Sequence, residues 1–280
     1  MASNTLAKAL KALHVPSRPL IIPNVWDIAS LNAVASLNTT SGEAPVKAVA
    51  TASWAVAASL GIKDEELTYE QNLAAIQTIG PACRKLGLPL SVDLQDGYGS
   101  KIHDAVSAAV KAGAAGANIE DSIPSAGFGR GIEGSLYSVD EQVERLKQAL
   151  KAASDAGCPD FALNARSDIF VLAADPSLDD ETRLREGIRR GKAYLDAGAT
   201  TVFFWGGGRG LRDAEVKALV KELDGKVAVK ALHKPEGLST QEIAELGVSR
   251  ISFGPSLFII AMEAAKKAAS SILGGGKIVG

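Results

Sequence analysis

Asp93, Gln95, Glu120 and Asp121 fall in two short motifs, VDLQDGYG at 92–99 and GANIEDS at 116–122. They form an oxygen-rich set with no thiolate and no imidazole. Oxygen donors of this kind suit a hard ion, and Mg²⁺ typically takes one or two carboxylates while keeping several waters. Asp93 and Gln95 are two apart, so an extended chain puts them on one side of a strand. The same acids could instead cap the helices that follow or pair with Arg166 of LNARSD at 163–168. Arg166 itself is a fixed cation able to hold a carboxylate with two hydrogen bonds. Asn118 lies between the acids, and Ser53 and Trp54 follow the apolar run 46–52. Further along, Arg130 could close over a substrate carboxylate, His233 could act as an acid or a donor, and Lys230 offers an amine. The GGGRG stretch at 206–210 could cradle a phosphate through backbone N–H groups, but it lacks a P-loop lysine and reads more readily as a flexible loop.

These residues need a frame. Eight short apolar runs recur at 19–23, 46–52, 88–94, 116–120, 161–165, 200–204, 226–231 and 249–253. Helical patterns lie between them at 28–37, 69–86, 102–112, 139–156, 181–197, 214–223 and 241–246, and a last one spans 256–273. Glycines mark the helix ends, as in the AGA triplets at 112–114 and 197–199, where a left-handed cap belongs. Eight strand–helix units in about 250 residues predict an α/β fold of the (β/α)8 TIM-barrel type. The rival open sheet usually carries a GxGxxG after its first strand, and none is present. The barrel is expected as one domain over 1–273, with a flexible tail at 274–280. In a barrel the chemistry sits at the C-terminal strand ends. That places the acids on the third and fourth strands and the cations on the fifth and seventh.

Composition narrows the function classes. The chain has 280 residues, 46% hydrophobic, with 30 basic and 32 acidic side chains for a net charge of -2. This balance argues against a nucleic-acid partner. No apolar stretch is long enough to cross a membrane as a helix. Two isolated cysteines, Cys83 and Cys158, argue against a disulfide scaffold and fit a reducing compartment. The acid-free residues 1–26 carry Lys8, Lys11, His14 and Arg18. They read as a short amphipathic helix built on Leu6, Ala9, Leu10 and Leu13 more readily than as a mitochondrial leader, so the expected location is cytoplasmic. His14 and His103 are expected at helix surfaces.

The sequence resembles the phosphoenolpyruvate mutase/isocitrate lyase superfamily over most of its length. PNVWDIAS at 23–30, SLGIKDEELT at 59–68, VDLQDGYG, GANIEDS, LNARSD and LGVSRISFGPSL at 246–257 carry the resemblance, together with their spacing. The resemblance implies a barrel whose last helix is exchanged between subunits of a homodimer or homotetramer. It implies Mg²⁺, or Mn²⁺ in its place, held by Asp93, with Gln95 and Glu120 reaching the metal's waters. It implies that Arg166 contacts the substrate carboxylate, that the Ser53 region binds the substrate's other end, and that Asp64 sits on a mobile loop over the site. Substrates of the family are small 2-oxo acids or enolpyruvate derivatives, and a chelated divalent ion stabilises the enolate left by bond cleavage.

Two departures refine the expectation. Lyases of the superfamily place a lysine and a cysteine in the loop after the IED, and mutases a lysine and an Asn-Ser pair. This chain has SIPSAGFGRGIEGSLYS at 122–138, with no lysine, cysteine or asparagine. FGR at 128–130 looks more like the oxaloacetate decarboxylase branch, and loss of CO₂ needs no acid for its leaving group. Gln95 replaces the usual carboxylate, which removes one negative charge from the site. The expectation is a Mg²⁺-dependent lyase acting beside the 2-oxo group of a small dicarboxylate. A phosphonomutase-like P–C isomerase and a non-catalytic 2-oxo-acid binder are its alternatives.

Overall fold

The computed structural model describes residues 2–39, 44–173 and 178–277. Its nine short strands are β1 (Leu20–Ile22), β2 (Asn24–Val25), β3 (Val49–Thr51), β4 (Leu90–Asp93), β5 (Gly116–Glu120), β6 (Ala162–Ser167), β7 (Thr201–Phe204), β8 (Val227–Lys230) and β9 (Arg250–Ser252). All neighbouring pairs are parallel, in the order β1-β9-β8-β7-β6-β5-β4-β3-β2. The two ends of that list are consecutive in the chain, separated only by Pro23. The sheet therefore closes on itself, and β1 and β2 are two halves of one barrel strand. The sequence predicts a single strand over 19–23. Its interruption has a direct cause, because proline has no N–H to give to a ladder. Pro23 still accepts a bond from Ala50 N at 2.9 Å. Asn24 seals the seam from inside: its amide nitrogen donates to Thr51 O at 2.8 Å, and its amide oxygen accepts from Phe253 N and Gly254 N at 3.0 and 2.9 Å.

The helices are α1 (Ala2–Ala12), α2 (Ile28–Ala35), α3 (Ser53–Ser59), α4 (Tyr69–Leu86), α5 (Ile102–Ala112), α6 (Gly131–Ser135), α7 (Val139–Asp155), α8 (Asp180–Asp196), α9 (Asp213–Glu222), α10 (Thr240–Glu245) and α11 (Ser256–Leu273). α4 shows how local sequence sets the limits. Thr68 caps its start in a reciprocal box with Gln71, and Gly87 ends it at φ 69°. The short α3 goes unforeseen in the sequence. It continues the apolar run of β3 without a break, and Ala52 before it supplies no capping side chain.

α1 packs beneath the barrel, where Ala7 and Leu10 are fully buried. His14 follows it and is not the surface residue expected. Its Nδ1 meets Leu10 O at 2.8 Å, and its Nε2 is buried without a partner. α11 is the opposite case. It buries only Ser256 and leaves Ile260, Met262, Ile272 and Leu273 exposed. Residues 278–280 of the expected tail lie outside the described residues. No described helix is long and apolar enough to cross a membrane.

Candidate active site

At the C-terminal strand ends the structure opens a cavity of about 380 Å³. Side chains that point inward from successive strands meet there. Strand register does the positioning: Asp93 is level with Asn118, Glu120 with Arg166, and Arg166 with Phe203. Asp93, Gln95, Glu120, Asn118, Arg166, Ser53, Trp54 and Asp64 all line the cavity. Two-residue alternation along a strand is the reason such distant positions converge.

The acidic wall is tightly held. Asp93 Oδ2 accepts from the backbone N–H of Ser53 at 3.0 Å, while the Asp93 N–H donates to Thr51 Oγ1 at 2.8 Å. Glu120 Oε1 accepts from Ser122 Oγ at 3.0 Å, and its Oε2 lies 2.8 Å from Arg166. Arg166 Nε donates to Asp168 Oδ1 at 2.7 Å, and the guanidinium lies 4.5 Å from the centre of the Trp205 ring. Burial opposes the Arg166 charge, yet Asp168 and Glu120 outweigh it and keep the group firmly protonated. Burial pushes the Glu120 carboxyl well above its ordinary range. Asp168, Asp93 and Asp64 add to that, and Arg166 resists it. Asp64 is raised in the same way, by burial and then by Asp93. The wall thus holds more negative charge than one arginine balances.

That excess is what a divalent cation would relieve. No group of three or more His, Cys, Asp or Glu among the described residues could hold an ion by protein ligands alone. Asp93 and Glu120, with the Gln95 amide beside them and open volume in front, instead fit an ion that keeps most of its waters, as Mg²⁺ does.

Gln95 has a second task. Its amide nitrogen donates to Asp64 O at 2.7 Å and to Asp64 Oδ1 at 3.1 Å. It thereby ties the short 3₁₀ turn Asp64–Glu66 down over the cavity. A carboxylate at this position could not donate. Gln95 adopts φ 51°, which the tight DLQDGYG turn imposes. Gly97 in that turn is required at φ 86°, since a Cβ there would lie 2.7 Å from Ile102.

Deciding evidence for the family lies in the chain-long comparison. The sequence matches the phosphoenolpyruvate phosphomutase family over residues 10–273. The chain belongs to this family. Within the wider phosphoenolpyruvate mutase/isocitrate lyase superfamily, it is 31% identical over 208 residues to 2-methylisocitrate lyase of Escherichia coli strain K12. That alignment covers 72% of this chain but only 63% of the lyase. It is 28% identical over 263 residues to oxaloacetate decarboxylase of Ectopseudomonas mendocina strain ymp, covering 92% of this chain and 81% of that enzyme. A Burkholderia cenocepacia J2315 structure, provisionally described as a phosphonomutase, superposes with a TM-score of 0.80 at 34% identity. The superposition covers 98% of this chain and 100% of that one.

Three residues singled out in the sequence lie elsewhere in this family member. Asp121, expected near the metal, turns outward and is fully buried, accepting from Arg190 at 3.0 Å, Tyr194 Oη at 2.8 Å and the Asp168 N–H at 2.9 Å. Consecutive strand residues face opposite sides, so Glu120 and Asp121 cannot both point inward. Arg130 is exposed outside the cavity, and Phe128 of the same loop lines it, edge-on to Trp205 at 5.8 Å. His233 is exposed beyond the end of β8 and does not reach the cavity. Asp96 also turns away. Its carboxylate accepts from Tyr98 N, Gly99 N and Tyr137 Oη, and Arg145 covers it. Sequence reasoning gives no role to Arg250, which lines the cavity from within a strand. The signal was present, because a charged residue at an inward position of an otherwise apolar run is costly unless used.

Proposed function

We propose that the protein is a Mg²⁺-dependent lyase that breaks the C–C bond beside the 2-oxo group of a small dicarboxylate, by decarboxylation of oxaloacetate or by retro-aldol cleavage. One observation carries this reading: Asp93, Glu120, Asp64 and Arg166 line a single cavity roofed by an apolar loop. Asp93, Glu120 and Gln95 would hold Mg²⁺, with Mn²⁺ as its substitute. The ion supplies Lewis-acid polarisation of the 2-oxo group and its neighbouring carboxylate. Relatives named 2-methylisocitrate lyase and oxaloacetate decarboxylase support the same chemistry.

The chain's own residues do the rest. Arg166 is immobilised by Asp168, Glu120 and Trp205, so it loses little freedom when it orients a substrate carboxylate. Asn118 Oδ1 already accepts from Asn164, which leaves its amide nitrogen as a donor toward a substrate oxygen. Ile123, Pro124, Gly127 and Phe128 cover the site with apolar surface and exclude water. They offer no proton to a leaving group, which favours departure as CO₂. Asp64, whose proton affinity burial and then Asp93 raise, can give its proton to the remaining three-carbon fragment and recover one from water.

In this reading the protein assembles as a homodimer or homotetramer, with a second copy covering the exposed apolar side chains of α11. The test is incubation with Mg²⁺ and oxaloacetate, 2-methylisocitrate, 2,3-dimethylmalate or phosphonopyruvate, with pyruvate and phosphoenolpyruvate measured. Pyruvate from at least one of the first two is expected. Phosphoenolpyruvate from phosphonopyruvate alone would make it a mutase. No turnover with oxalate still bound would leave a binding protein.

A further inference from the structure

The cavity has two unlike sides. Asp93 and Glu120 lie on β4 and β5, the third and fourth strands of the barrel once β1 and β2 count as one. Lys230 ends β8, the seventh strand, and so faces the acids across the barrel. Arg250 begins β9 and lies across the floor. Its Nε donates to Ser252 Oγ at 3.2 Å and its Nη1 reaches Ser91 Oγ at 3.3 Å, on the far side. Both cations line the same cavity as the acids.

Their partners set them apart from Arg166. That guanidinium is committed to Glu120 and Asp168. Neither Lys230 nor Arg250 forms an ion pair among the described residues, although Arg250 is only 2% exposed. Burying a cation without a carboxylate at ion-pair distance is unfavourable, which applies to Arg250, and the half-buried Lys230 opens onto the same cavity. Burial lowers the proton affinity of both; Arg166 adds to this at Lys230, and Asp93 offsets part of it at Arg250. Gly254 packs beside the Lys230 side chain: a Cβ there would lie 3.2 Å from Lys230 Cε, which would have to yield by a few tenths of an ångström.

We propose that Lys230 and Arg250 form an anion subsite that takes the distal carboxylate of the substrate, opposite the end held at Asp93, Glu120 and Arg166. The proposal rests on the lyase reading above, which names a dicarboxylate, and adds to it the residues that hold the second carboxylate. A substrate of this site is a dianion at its two ends, and a monocarboxylate of the same head group leaves both cations unmatched.

The two readings separate in one binding experiment. Oxalate, (S)-lactate and (S)-malate are titrated calorimetrically into the Mg²⁺-loaded protein. Lactate and malate share the 2-hydroxycarboxylate head, and only malate carries the distal carboxylate. Malate is expected to bind at least tenfold tighter than lactate. Lys230→Gln should bring the ratio near one with the lactate Kd unchanged, and Lys230→Arg should restore much of the preference. Arg250→Gln, if it folds, should act in the same direction. Oxalate and lactate binding without a malate advantage, or an advantage untouched by Lys230→Gln, would overturn the subsite alone. Failure of all three to bind would overturn the parent reading and the subsite with it.

Discussion

Asp121 and Gln95 show how one residue's surroundings decide its task. Asp121 stands beside Glu120 in the sequence yet neutralises Arg190 in the outer layer, where both groups are buried. Removing one partner of such a pair leaves an unmatched buried charge, at a cost of about 3–5 kcal/mol. Asp121→Asn is therefore expected to lower unfolding stability by roughly that amount while leaving Mg²⁺ affinity in the folded protein unchanged. A loss of Mg²⁺ affinity with normal stability would return Asp121 to the metal. For Gln95 the donated bonds to Asp64 are decisive. Gln95→Glu sets two carboxylates against each other, so the 59–68 segment should exchange its amide hydrogens about tenfold faster, since a bond to a charged group contributes on the order of 1.5–3 kcal/mol. Unchanged exchange would show that Gln95 does not tie the turn. Spacing marked Asp93, Gln95 and Glu120 without deciding between a metal, capping and pairing with Arg166, and the resemblance to the superfamily supplied Asp64 and the Ser53 region. The facing of neighbours such as Glu120 and Asp121 was not legible, because it depends on which side of the strand turns inward.

At the scale of elements, the alternation of strands and helices was plain in the sequence, and the closure of the barrel was not. A run broken at Pro23 and sealed by the Asn24 side chain depends on partners more than two hundred residues away. Helix packing adds a similar long-range demand. A Cβ on Gly80 of α4 would lie 2.3 Å from the backbone oxygen of Ala112 at the end of α5. Backbone cannot yield as a flexible side chain does, so Gly80→Ala should cost about 1–3 kcal/mol, read from the urea midpoint. A shift within experimental error would mean that the two helices separate freely. His14 links α1 to the barrel floor. Burial and then Arg250 hold its ring neutral, down to about 4 from an ordinary 6.5. Because the fold favours the neutral ring, this contribution is intact above pH 6.5 and is lost as pH falls from 6.5 toward 4. Stability of His14→Gln should accordingly fall less steeply than wild type across that window. Parallel curves would show that the ring titrates normally.

For the whole molecule, a near-zero net charge conceals a polarised interior. Acids crowd one wall of the cavity, and Lys230 and Arg250 occupy the opposite wall and floor. Composition could not show this, since it sums over positions that only the barrel brings together. α11, the last helix that the resemblance expects to be exchanged between subunits, leaves Ile260, Met262, Ile272 and Leu273 exposed within one chain. Light scattering should report a dimer or tetramer, shifted toward monomer by Met262→Glu with Leu273→Glu; a wild-type monomer would refute that assembly. The most direct test of the central claim is oxalate binding, measured by calorimetry with and without Mg²⁺, in wild type and in Asp93→Ala. The account predicts oxalate binding that requires Mg²⁺ and is lost in Asp93→Ala. Binding that ignores both EDTA and the loss of Asp93 would contradict it.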